Sequence, residues 1–235
     1  MKHELLETLV NRFGQSYSES LKIDLCSREE SEIFKWFLAS ILFGAPMREH
    51  SARQTYECFE KHQVLTADQI LKTGWEGLVK ILDEGGYTRY DFKTADKLLE
   101  VTRNLEERYH GSLELLHETA RDPGDLEKRL KDLGKGIGDV TVNIFLRELR
   151  GILTKARPKP SSIVALAAKN LGITRKQATS VTLEDLEKFW RKNRVTGHSF
   201  INFETALQRL GKDFYRKGRP LPFETSGARW RRMAP

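Results

Sequence analysis

The chain has 235 residues, 39% of them hydrophobic and 31% charged, with 40 Lys/Arg against 33 Asp/Glu for a formal net charge of +7. That length carries one large domain or two small ones, and the composition belongs to a soluble globular chain rather than a membrane or disordered one. No apolar run approaches the roughly 20 residues of a membrane helix, and two cysteines, Cys26 and Cys58, are too few for a four-cysteine zinc site or an iron–sulfur cluster.

Helical periodicity dominates from the start. Leu5, Leu6, Leu9, Val10 and Phe13 mark a first helix that stops at Gly14. These opening residues mix acids and bases and lack a signal-peptide core, which reads as a mature cytosolic start, nucleoid-associated if the source is prokaryotic. Ser27 with Glu30 three residues on predicts a capped helix start. The following run from Ile33 to Phe43 is apolar nearly all round, the pattern of a fully buried central helix ending at Gly44-Ala45-Pro46. Helices are expected over 49–62, 66–72 behind a Thr66 cap, and 74–83, before Gly85-Gly86 breaks the chain. Others follow over 89–109, 112–119, 123–132 and, after a glycine-rich turn, 139–150. Gly151–Ser162, with Pro158 and Pro160, reads as an extended connection. Helices resume over 161–170, 174–179, 182–193 and 198–216, and a basic tail containing Trp230 and Arg-rich flanks follows Gly218. Strand formers are too scattered for a sheet. The expectation is an all-α fold of two helical lobes: a helix in 1–22 packing with the C-terminal lobe, a barrel-like lobe over 23–148, a C-terminal lobe over 149–217, and a tail over 218–235.

The charge is unevenly placed. Residues 1–148 hold 21 basic and 27 acidic residues, a balance of −6, whereas 149–183 hold seven basic residues and no acid. Residues 184–235 hold 12 basic and six acidic residues, a balance of +6. An acidic first part followed by a basic remainder favours a polyanionic partner.

The most informative stretch runs from Leu130 to Val142, where Gly134, Gly136 and Gly138 interrupt two amphipathic segments. This reads as helix, tight hairpin, helix over 130–148. Gly136 and Gly138 permit the turn and a close backbone approach, Ile137 between them plugs the hairpin into the core, and the free N–H groups at the new helix start form an anion site.

The pattern resembles the helix-hairpin-helix of the endonuclease III-like DNA glycosylase superfamily. The buried helix at 33–43, the segment Gly74-Trp75-Glu76-Gly77-Leu78, the turn Gly86-Tyr87-Thr88-Arg89 and the helix carrying Lys97 and Leu98 occur in that family's order, so the similarity covers roughly residues 30–175. The resemblance implies a monomer that binds double-stranded DNA, with a hairpin that holds a phosphate, often with a bound monovalent cation. It implies a wedge beside a flipped base from Tyr87, Thr88 and Arg89, and a cleft between lobes for that base. On that basis Lys135, Gly136, Ile137, Gly138, Asp139 and Thr141, with Arg157 and Lys159 of the basic connection, are the candidate DNA-binding residues.

The departures are as informative. The hairpin is one residue longer than the usual pattern, Gly134-Lys135 standing where a proline often sits. The family's lysine nucleophile corresponds to Val140, which forms no Schiff base and excludes lyase chemistry by that route. The family's catalytic Asp would fall near Pro158, and no acid lies between Glu148 and Glu184. The four-cysteine cluster loop is absent, so no cofactor and no resident metal are expected. Without a carboxylate, the oxocarbenium-like charge of base excision lacks its usual stabiliser. Asp139 and Glu148 are the remaining catalytic candidates, although a helix-start role for Asp139 and an exposed pairing of Glu148 with Arg147 or Arg150 are the simpler readings. Lys135 is read as a phosphate contact. Two functions stay open: a DNA-binding protein that excises a damaged base as a monofunctional glycosylase, or a non-catalytic DNA-recognition or scaffold protein on the same fold. Trp36 and Trp75 are expected in the core, Trp190 either packing or stacking on a base, and the histidines are not metal ligands.

Overall fold

The computed structural model describes residues 3–221, which leaves the Arg-flanked Trp230 outside the described part of the chain. The described residues form twelve α-helices: α1 His3–Phe13, α2 Tyr17–Ser20, α3 Glu30–Gly44, α4 Glu49–Lys61, α5 Ala67–Glu84, α6 Asp91–Tyr109, α7 Leu113–Thr119, α8 Pro123–Lys131, α9 Asp139–Glu148, α10 Ser162–Asn170, α11 Leu183–Lys192 and α12 Phe200–Asp213. Single 3-10 turns lie at Leu25–Ser27, Ala178–Ser180 and Tyr215–Lys217. The protein is all-α, with no strand among the described residues. None of these helices is long and apolar enough to cross a membrane.

The chain divides into two units, Tyr17–Pro158 and Met1–Ser16 with Lys159–Pro235. The cuts fall at 16/17 and 158/159, where sequence reading drew 22/23 and 148/149. In the larger unit α3 is the hub, packing on α4, α7 and α9. Its residues Ile33, Phe34, Trp36, Phe37, Leu38, Ile41 and Leu42 are all buried, as an all-round apolar helix requires. Trp36 donates its indole N–H to the Phe145 carbonyl at 3.0 Å, satisfying the one polar atom of a fully buried ring. In the smaller unit α12 lies against α1, α10 and α11. Trp190 stacks on Phe203 there, with centroids 5.2 Å apart, so this tryptophan is packing and not a base-stacking surface.

Local chemistry sets most helix starts. Thr66, Ser112, Asp122, Ser161, Thr182 and Ser199 each accept an N–H from the first turn they open. Two expectations need correction. Ser27 does not cap α3: Asp24 takes the Cys26 N–H, Arg28 turns into the left-handed region, and the helix starts after Glu29 with no side-chain cap. Glu30 instead crosses to α7, accepting from the Ser112 hydroxyl and the Leu113 and Glu114 amides. The break expected between 66–72 and 74–83 is present, α5 being two helices that meet at Gly74, whose φ of 66° and ψ of 178° are non-helical. The segment 174–179 holds no α-helix, only the turn at Ala178–Ser180.

Candidate nucleic-acid interface

The hairpin between α8 and α9 is built by packing from both ends. Leu130, Leu133 and Ile137 are buried, so Ile137 does plug the turn into the core of its unit. Gly136 has φ of +89°, a conformation that favours glycine, and a Cβ there would lie 2.8 Å from Lys97 Cε. Gly138 differs: its backbone is extended, the space around its Cα is open, and it is the N-cap of α9 with no side-chain hydrogen bond to that helix start. The N–H groups of Asp139, Val140 and Thr141 therefore open onto the helix end without an intrahelical acceptor.

One stripe of α6 grips this hairpin. Arg108 donates to the Asp132 carbonyl at 3.0 Å and Asn104 to the Leu133 carbonyl at 2.8 Å. Glu100 accepts the Lys135 N–H at 3.0 Å, and Lys97 lies against Gly136. Positions 97, 100, 104 and 108 share one face of a helix. This ladder escaped sequence reading. The helical spacing of four polar residues was its only signal, and that spacing alone does not reveal what the stripe faces.

The candidate residues separate once placed. Lys135, Gly136, Gly138 and Asp139 are exposed together on the hairpin. Asp139, with a side chain 90% exposed, pairs with Lys131 at 2.5 Å, and this ammonium holds its carboxyl below the usual aspartate range. Val140 is 62% exposed in the same first turn. Thr141 is buried, its hydroxyl side facing Gly44 of α3, so its side chain fixes the α3–α9 contact and does not reach DNA, and only its backbone N–H belongs to the open helix start. Arg157 is exposed in the larger unit, while Lys159 is exposed at the start of the smaller unit's second segment. Of the neighbouring basic side chains, Arg150 donates to the Pro158 carbonyl at 2.7 Å and Lys155 to the His117 and Glu118 carbonyls.

The expected wedge is also corrected. Tyr87 is fully buried and its hydroxyl donates to the Leu42 carbonyl, so the ring cannot reach a partner. Thr88 and Arg89 are exposed, with the Arg89 guanidinium 5.8 Å from the Tyr90 ring centroid. The 87–89 turn and α9 nevertheless converge on the same end of α3, at Leu42 and Gly44.

Glu148 neither faces a pocket nor lies on the surface. It is 1% exposed, accepts the Tyr17 and Ser18 amides at 2.9 Å each, and stands 3.8 Å from the buried Arg147 guanidinium. Its carboxylate is thus the acceptor that holds the start of α2, a helix with no sequence signal of its own. Trp75 is likewise not core: it is exposed, packs with tilted rings against the exposed Phe92 at a centroid distance of 5.2 Å, and donates its indole N–H to Asp96. Among the described residues no group of three or more His, Cys, Asp or Glu could hold a metal ion. Known proteins offer no significant match to this chain, whether as a family model, a curated protein or a solved structure.

Proposed function

We propose that this chain binds double-stranded DNA by seating a backbone phosphate on the hairpin of residues 134–141, as a recognition protein without base-excision chemistry. The observation that carries the reading is the open start of α9. Gly138 has room for a capping side chain and a backbone suited to one, yet provides none. The exposed amides and the positive end of the helix dipole favour an anion there. Lys135 adds an exposed cation beside it, and the Lys131 pair offsets the negative charge of Asp139. Phosphate contacts of this kind position a protein on a duplex without reading its sequence.

Recognition is favoured over excision by the two candidate carboxylates. Glu148 has both oxygens committed to the amides of α2, and Asp139 is paired on the surface of the hairpin itself. Neither is positioned to stabilise a developing sugar cation.

Fluorescence anisotropy with a labelled duplex tests the binding. Affinity is expected to fall by about tenfold or more between 50 and 200 mM salt, because each phosphate contact releases counterions. A salt-independent signal, or none, contradicts the reading. Incubation with duplexes carrying uracil, hypoxanthine, alkylated or oxidised bases is expected to release no base, and release from any of them overturns the non-excising part.

A further inference from the structure

The α6 ladder leaves one rung unexplained. Arg108, Asn104 and Glu100 each satisfy a backbone group of the hairpin, but Lys97 bonds to none. Its stem lies against Gly136, with Cε 2.8 Å and Nζ 3.3 Å from the point a Cβ would occupy. Among the described residues its ammonium has no hydrogen-bond or ion-pair partner, and burial holds its pKa below the usual lysine value. A half-buried cation without a counter-charge is unfavourable unless an anion completes it. Neighbouring carboxylates do not serve: Glu100 is turned to the Lys135 amide, and Asp96 accepts from Trp75.

We infer that Lys97 is a phosphate-binding residue, its ammonium meeting from α6 the same phosphodiester that the hairpin amides meet from α9. This rests on the DNA-binding reading above and extends it to a residue outside the hairpin. The three other rungs fix the hairpin on α6, so the Lys97 ammonium is held beside the Gly136 turn. Gly136 is required twice in this arrangement, by its positive φ and by the lysine stem that fills the place of its Cβ. The consequence is a two-sided anion seat, in which the amides supply direction and the lysine supplies full charge.

The test is a salt titration of duplex binding with wild type, Lys97→Met and Lys97→Gln; the methionine keeps the stem on Gly136 and removes the charge. The slope of log affinity against log salt is expected to shrink by about one in both variants. Affinity at low salt should fall several-fold, with melting temperature no lower in the methionine variant. Wild-type slopes in both variants overturn the inference while leaving hairpin binding intact. Lysine acetylation of the wild-type protein, read by mass spectrometry, needs no variant to fold. Lys97 is expected to be labelled in the free protein and protected by duplex DNA, and equal labelling with and without bound duplex overturns the assignment. If wild type binds no duplex, inorganic phosphate is the separate probe. Protection of Lys97 by phosphate then retains the anion seat and rejects DNA as its source, whereas no protection rejects both.

Discussion

Glu148 shows how far a single residue's position changes its meaning. Sequence placed it as a candidate acid near the end of a DNA-reading helix, but the fold turns it inward onto the Tyr17 and Ser18 amides beside Arg147. Removing it would leave a buried guanidinium without its ion-pair partner and two buried amides without their acceptor. Glu148→Ala is therefore expected to destabilise the fold by about 3–5 kcal/mol, measured by urea denaturation; a loss below about 1 kcal/mol contradicts this account of the buried carboxylate. Tyr87 and Thr141 carry the same lesson. All three are polar or amphipathic groups whose partners are distant in sequence: Leu42 for Tyr87, Gly44 for Thr141 and the 17–18 turn for Glu148. Periodicity reports which face of a helix is apolar, and it is silent about which polar group a buried side chain will find. Ile137 was legible because its role needs only an apolar side chain between two turn glycines.

Elements were legible where their ends are local. Thr66, Ser112 and the Pro123 start could be located because cap and first turn lie within four residues. The α3 start was misplaced because the Leu25–Ser27 turn competes for the same residues, and α2 was missed because a carboxylate about 130 residues away holds it. Contacts between elements also set one pH response. His117 of α7 accepts the Lys155 N–H at 3.3 Å through Nε2, tying the connection after α9 to α7. Burial, followed by the nearby Lys155 charge, holds its pKa below the ordinary 6.5, with Glu118 opposing. The folded state thus favours neutral His117, so its contribution is present above pH 6.5 and is lost as pH falls below it. The melting-temperature difference between wild type and His117→Gln should narrow as pH falls from 7.5 to 5. A constant difference across that range would show that the ring's protonation state does not matter to this tie.

For the whole molecule, the charge pattern changes its meaning once the units are drawn. Residues 17–158 hold 22 basic and 25 acidic residues, a balance of −3, while the other unit holds 18 basic and eight acidic, a balance of +10. The acid-free window 149–183 straddles the division, and Arg150 and Lys155 within it are tied to carbonyls. The smaller unit can therefore contribute long-range attraction to a polyanion, but the unit bearing the hairpin is not itself basic. The proposed binding at the hairpin rests on local geometry: an uncapped helix start, Gly136, and the lysines at 97 and 135. Gly138→Asp tests that geometry most directly, because the site has room for the side chain and the extended backbone of an N-cap. The new carboxylate would cap α9, favouring stability by a few tenths of a kcal/mol, while placing a negative charge in the proposed phosphate seat. Measured side by side with wild type, the variant should melt no lower and bind labelled duplex at least about tenfold more weakly at low salt. A Gly138→Asp protein that folds as well and binds DNA as tightly as wild type would contradict the account.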